Sequence, residues 1–134
     1  MAKILLVDDD NQIKELLRQM IVREGYKGVD APDSKIGMRS LREVPADLVI
    51  LDLLMPEKDG LEVIIELRHD FPDVKIIAIS GEGIIGAWDY LNMAKALGAQ
   101  STLYKPFSMK ELLKSVQELI GNDKAHEKYG ERQK

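Results

Sequence analysis

Three aspartates in a row, Asp8-Asp9-Asp10, follow the apolar run Ile4-Leu5-Leu6-Val7. Asp52 ends a second run, Asp47-Leu48-Val49-Ile50-Leu51, Ser80 ends a third that begins at Val74, and Lys105 follows a short fourth over 101–104. If these runs are strands of one parallel sheet, all four polar groups stand at carboxyl ends, the side on which open sheets of this kind bind ligands. Carboxylates brought together there cannot all stay ionised without a counter-charge: either one pKa rises or a cation binds. Oxygen ligands alone favour a hard cation, and few carboxylates with room for water favour Mg²⁺ over Ca²⁺. Each residue alone has an ordinary explanation: strand-end aspartates form turns or caps, Ser80 before Gly81 makes a turn, and Lys105 before Pro106 is solvated. None of these explains why all should project from one rim.

The elements that must position them follow from spacing. Residues 3–7, 47–51 and 74–79 are almost wholly apolar, the pattern of strands buried on both faces, while 27–31 and 101–104 are weaker strands. Asp10 or Asn11 is a candidate cap for a helix carrying Ile13, Leu16, Leu17, Met20 and Ile21, stopped at Gly25. Further helices are expected over 34–43, through Leu61, Ile64, Ile65 and Arg68 to a stop at Pro72, over 87–97, and through Met109, Leu112, Leu113, Val116 and Ile120. Met55-Pro56 and Asp59-Gly60 mark a turn, and Gly81, Gly83 and Gly86 a loop. His69 is expected at the surface, and Met20, Met38, Met93 and Met109 as core or groove filling. Strands alternating with helices give an α/β fold with a parallel sheet and helices on both faces.

The 134 residues suffice for one domain, read as 1–120 with a polar tail over 121–134. A formal charge of −4 argues against bulk electrostatic binding to nucleic acid or to anionic membrane. Cysteine is absent, which excludes disulfides, thiolate metal sites and a cysteine nucleophile and fits a reducing cytoplasm. No apolar run approaches the ~20 residues of a membrane span, and nothing resembling a signal peptide precedes Lys3.

Taken in order, Ile4-Leu5-Leu6-Val7-Asp8-Asp9-Asp10, Leu51-Asp52-Leu53-Leu54-Met55-Pro56 with Asp59-Gly60, Ile79-Ser80-Gly81, and Gly98-Ala99 leading to Lys105-Pro106-Phe107 resemble the receiver domain of two-component response regulators over residues 3–120. The resemblance implies a doubly wound, flavodoxin-like sheet of five parallel strands in the order 2-1-3-4-5. Strand spacing of ~4.8 Å then brings Asp8, Asp9 and Asp52 together, with Lys105 within side-chain reach. It further implies Asp52 as phosphoacceptor, Asp9 as a direct Mg²⁺ ligand, Asp8 as a second acid acting mostly through water, and the Leu54 carbonyl as a further ligand. Ser80 would be the hydroxyl that bonds the phosphoryl oxygen, and Lys105 the cation that pairs with it. The implied donor is a sensor histidine kinase or phosphotransfer protein, and the implied readout is the 87–120 face, towards an unknown target or a second copy. Nucleic acid is not expected as a direct partner, since 14 residues after 120 cannot make a DNA-binding domain. Autophosphorylation and dephosphorylation, without turnover of another substrate, are the implied chemistry.

Two departures stand out. The family's aromatic residue three positions before the lysine is Thr102 here, with Tyr104 two residues on and on the same strand face. The stretch from Ser80 to Gly98 is also a few residues longer than usual. It is read as a simple loop insertion or, more sharply, as a segment ordered by phosphorylation, with Trp88 or Tyr90 as anchor. Competing readings are weaker. An aspartyl-phosphate hydrolase wants a second acid at position 54, which is Leu. A flavin protein wants a hydroxyl- and glycine-rich loop where Asp8-Asp9-Asp10 would repel phosphate. A receiver fold that takes no phosphate would have no need of the full acidic, hydroxyl and lysine set.

Overall fold

The computed structural model describes residues 2–55, 58–81 and 86–121. Strands β1 (Lys3–Val7), β2 (Lys27–Ala31), β3 (Leu48–Asp52), β4 (Lys75–Ser80) and β5 (Ser101–Tyr104) form one sheet in the order β2-β1-β3-β4-β5. All four pairings are parallel, so the expected order 2-1-3-4-5 is the one found. The strands alternate with α1 (Asn11–Arg23), α2 (Ser34–Glu43), α3 (Gly60–Asp70), α4 (Ala87–Leu97) and α5 (Met109–Ile120).

Because successive strand residues face opposite ways, the continuous apolar runs feed two cores. Leu5, Val7, Val49, Leu51, Ile76 and Ala78 pack with residues of α2, α3 and α4. Ile4, Leu6, Leu48, Ile50, Ile77 and Ile79 pack with residues of α1 and α5. The edge strand β2 reads Lys-Gly-Val-Asp-Ala and only Ala31 is buried, which is why its sequence signal was weak.

Helix starts are chemically explicit. Asp10, not Asn11, caps α1, accepting from Gln12 N at 3.0 Å and Ile13 N at 3.2 Å. Asp33 and Asp59 cap α2 and α3, and Ser108 and Glu111 form a capping box on α5. No helix among the described residues is long and apolar enough to cross a membrane.

Asp52 and Ser80 are the last residues of their strands, where the sequence reading ends the runs. Two details differ from that reading. The turn region contains a two-residue antiparallel ladder, Leu54–Met55 with Lys58–Asp59; Pro56 lies outside the described residues, as do Gly83 and residues 122–134. Met20 and Met38 are buried, but Met93 is 53% exposed, because it falls on the outer face of α4. His69 is exposed, as expected.

Arg68 carries more of the fold than its place at the end of α3 suggested. Its guanidinium donates to the carbonyls of Gly98 (3.1 Å), Pro72 (2.8 Å) and Val74, and to Gln100 Oε1 (3.1 Å). It thereby ties the end of α3 to the start of β4 and to the turn between α4 and β5. Arg68→Ala leaves those carbonyls short of donors and is expected to lower stability by about 2–3 kcal/mol in urea unfolding. Arg68→Lys should not restore it, since one ammonium cannot reproduce the planar fork.

Candidate functional site

Val7 and Leu51 are register partners in neighbouring strands, so the residues one step further, Asp8 and Asp52, emerge side by side at the carboxyl edge of the sheet. Asp9 follows on the solvent side. Carboxylate oxygens of Asp8, Asp9 and Asp52 all lie within 4.8 Å of one another, with Asp8 and Asp52 buried and Asp9 exposed. Lys105, at the end of β5, reaches back across β4 and places its Nζ 3.5 Å from Asp52 Oδ2. Three carboxylates and one ammonium leave two negative charges in excess.

Backbone donors fix the two buried acids. The Asp10 N–H donates to Asp8 Oδ1 at 2.8 Å, and the Leu54 N–H donates to Asp52 Oδ1 at 3.0 Å. These bonds do not offset burial. Burial holds the Asp52 carboxyl above its ordinary range, against the pull of the Leu54 N–H and of Lys105. Burial likewise pushes Asp8 up to about 6, helped by the Asp52 charge and opposed by the Asp10 N–H.

Ser80 completes the rim. It is 1% exposed, and its Oγ has no hydrogen-bond partner among the described residues. A buried hydroxyl without a partner is costly and uncommon, and it marks a place where an external acceptor would be welcome. The Ser80 backbone, by contrast, is satisfied: the Lys105 N–H donates to its carbonyl at 2.9 Å.

All the donors at this pocket are carboxylates or hydroxyl, and the charge in excess is negative, so the residues fit a hard divalent cation such as Mg²⁺. A measurable consequence follows from Asp8. Between about pH 4 and 6 the folded chain binds a proton at Asp8 that the unfolded chain has released, so this group's contribution makes stability fall as pH rises through that window. Asp8→Asn keeps an oxygen for the Asp10 N–H and removes the charge. In metal-free buffer it is expected to be about 1–2 kcal/mol more stable than wild type at pH 7, part of the burial cost being screened on the open Asp9 side. The difference should vanish near pH 4, and added Mg²⁺ should raise the melting temperature of wild type more than that of Asp8→Asn.

The sequence-predicted residues therefore converge, except at the aromatic positions. Thr102 pairs with Ala78 in the middle of β5, two pairs before the Ser80–Tyr104 pair. The Tyr104 ring lies flat against Trp88 in the first turn of α4, centroids 4.4 Å apart and planes 6° off parallel. The second anchor candidate, Tyr90, donates its hydroxyl to Asp59 Oδ1. Residues 82–85, in the stretch read as an insertion or an ordered segment, lie outside the described residues. No local signal in the sequence marks the Tyr90–Asp59 contact, whose partners are 31 residues apart.

Residues 4–117 match the response regulator receiver domain family. The chain is 34% identical over 118 residues to the transcriptional regulatory protein QseB of Haemophilus influenzae, covering 88% of this chain and 52% of that protein. It is 33% identical over 124 residues to the transcriptional regulatory protein CpxR of Klebsiella pneumoniae, covering 90% of this chain and 50% of that one. The chain thus spans about half the length of these curated relatives. Among solved structures it is similar to a receiver domain protein of Clostridium thermocellum, with a TM-score of 0.83 at 28% identity over 93% of this chain and 98% of that one. It is also similar to the chemotaxis protein CheY4 of Vibrio cholerae, with a TM-score of 0.80 at 27% identity over 90% of this chain and 99% of that one.

Proposed function

The chain belongs to the response regulator receiver domain family of two-component systems, and from that premise we propose that Asp52 is its phosphoacceptor, loaded from a phosphohistidine on a sensor histidine kinase or phosphotransfer protein in the cytoplasm. The observation that carries this reading is the buried, unpartnered Ser80 hydroxyl on the same rim as a buried aspartate with a lysine 3.5 Å away. A phosphoryl group on Asp52 would give both Ser80 and Lys105 an acceptor.

An Asp52 carboxylate oxygen attacks phosphorus as the P–N bond breaks and its electron pair leaves on the imidazole nitrogen, which forms an acyl phosphate on Asp52. Asp8, Asp9, Asp52 and the Leu54 carbonyl would hold Mg²⁺, which supplies positive charge against the phosphoryl oxygens. Lys105 supplies the rest from the opposite side, and Ser80 donates its hydroxyl to a phosphoryl oxygen. Water later attacks phosphorus, and inorganic phosphate leaves with the Asp52 carboxylate restored. Asp52 is reactant and stored signal at once, so the protein modifies itself and turns over no separate substrate.

Signalling needs a second conformation that the phosphoryl group favours. Moving an equilibrium from 1:99 to 99:1 takes ~5.5 kcal/mol, and charge-assisted bonds from Ser80 and Lys105 can contribute several of those. The readout surface is the 87–120 face, where Trp88, Met93 and Leu97 are exposed apolar residues available to a protein partner. The same face suits a second copy: a beryllofluoride-activated NtrC4 receiver domain, similar at a TM-score of 0.81, is a dimer. In this reading residues 1–120 are the receiver unit.

The test is incubation with Mg²⁺ and acetyl phosphate followed by intact mass. Gain of one phosphate in wild type, none in Asp52→Asn and none after chelation is the expected result. No gain in wild type under any condition would favour a receiver fold that only mediates contacts.

A further inference from the structure

Helix α4 begins unlike the others. α1, α2, α3 and α5 each start on a side chain that accepts from the first-turn amides, whereas α4 starts at Gly86 with no side-chain cap. Two tertiary contacts hold its first turn instead. The Trp88 ring stacks on Tyr104, and the Tyr90 hydroxyl donates to Asp59 Oδ1. Burial and the neighbouring Asp59 charge push the Tyr90 hydroxyl up to about 12, so it stays a donor at any pH at which the fold is studied.

Asp59 is not an isolated surface acid. The same Oδ1 caps α3 by accepting from the Leu61 N–H at 2.9 Å, and the Asp59 backbone pairs with Leu54 in the two-residue ladder. Next to it, the Gly60 N–H donates to the Leu53 carbonyl at 3.3 Å. The approach is close enough that a Cβ on Gly60 would come within 2.5 Å of Leu53 Cα. Residues 53–54 and 59–60 are therefore bound as one piece, with no side chain between the two backbones. That piece touches the carboxylate pocket directly, because the Leu54 N–H holds Asp52 Oδ1. An uninterrupted line of contacts runs Asp52, Leu54, Asp59, Tyr90 and into α4.

We propose that Tyr90 is a positioning residue through which α4 senses the occupancy of the carboxylate pocket, by way of Asp59 and the Leu54 segment. The inference rests on the phosphoacceptor reading of Asp52 for its biological input, but its contacts stand without it. When a divalent cation or a phosphoryl group draws on Asp52 and the Leu54 carbonyl, the 53–54/59–60 piece shifts, Asp59 shifts with it, and Tyr90 transmits the shift to a helix start that no cap holds. Position 102, the place of the family's aromatic residue, is Thr in this chain; the Asp59–Tyr90 tie supplies a path that does not pass through it. The Trp88–Tyr104 stack then serves as the moving contact at the readout face.

Trp88 is the only tryptophan and sits two residues before Tyr90, so its emission reports the start of α4. Wild type and Tyr90→Phe are each titrated with Mg²⁺ alone and then given acetyl phosphate, with intact mass recorded alongside. The expected result is a change in Trp88 emission in wild type at each step, and a change at least threefold smaller in Tyr90→Phe at equal phosphate incorporation. Asp59→Asn, which keeps a carbonyl oxygen for both the α3 cap and the Tyr90 hydroxyl, should retain at least half of the wild-type change; a merely structural role for the carboxylate charge would not show this rescue. Equal emission changes in wild type and Tyr90→Phe overturn the proposal, as does a loaded wild type with no emission change. If wild type gains no mass, the phosphoacceptor reading fails separately, and the Mg²⁺ arm still decides: equal responses in the two proteins, including none in either, overturn the role of Tyr90.

Discussion

Lys105→Ala is expected to slow phosphoryl uptake at Asp52 by two to three orders of magnitude at saturating Mg²⁺. The ammonium lies 3.5 Å from Asp52 Oδ2 and is the one cation paired with the three acids among the described residues. As charge spreads over the equatorial phosphoryl oxygens, a preorganised donor in a partly buried site is worth far more than the same pair in water, and deleting one such donor typically costs 10²–10³ in rate. Loss of the lysine also leaves the Asp52 carboxyl further above its ordinary range, since the ammonium pulls it down against burial. Lys105→Arg keeps the charge but carries a broad planar fork in place of a compact ammonium and should recover only part of the rate. The rate is read by intact mass against time with acetyl phosphate. A loss of threefold or less in Lys105→Ala would reduce the contact to an ordinary ion pair at a pocket mouth and remove the lysine from the proposed chemistry.

What the sequence discloses here, and what it hides, divides along physical lines. The runs around Leu5, Ile50 and Ile77 are apolar at every position because β1, β3 and β4 are covered on both faces, and such strands announce themselves. The polar residues at their ends stand out for the same reason: an Asp or Ser after four apolar residues is at an edge. Nothing local ordered the strands. Their order came with the family resemblance, and the parallel pairings agree with it. Asp10 and Asn11 are equally good caps by type, and only the backbone decides for Asp10. The Arg68–Gly98 and Tyr90–Asp59 contacts are opaque in the sequence, because each joins residues about 30 apart. Met93 was misplaced because α4 is apolar on more of its surface than it buries: Trp88, Met93 and Leu97 are all exposed. That surplus is itself informative, since a helix more apolar than its own core requires has a face left over for a partner.

Gly81→Ala is expected to cost at least 3 kcal/mol of stability and, in the protein that still folds, to slow phosphate uptake about tenfold or more. Gly81 follows Ser80 directly and has φ +152, a backbone conformation that residues with a Cβ rarely adopt. Its surroundings are backbone: a Cβ there would lie 2.6 Å from Lys105 N and 2.8 Å from Lys105 O. Neither atom is the loose end of a side chain, and Lys105 N is already committed to the Ser80 carbonyl at 2.9 Å. The methyl group must therefore push the end of β5 away from the end of β4, breaking that bond or bending both strands. Either response moves Lys105 with respect to Asp52, so one substitution should damage the fold and the site through a single displacement. Urea unfolding measures the first effect. Uptake of phosphate at a temperature and concentration where the variant is fully folded by circular dichroism measures the second. If Gly81→Ala unfolds within about 0.5 kcal/mol of wild type, the close approach of the two strand ends is not a constraint. If it is destabilised yet takes up phosphate at the wild-type rate, the position of Lys105 does not depend on that approach.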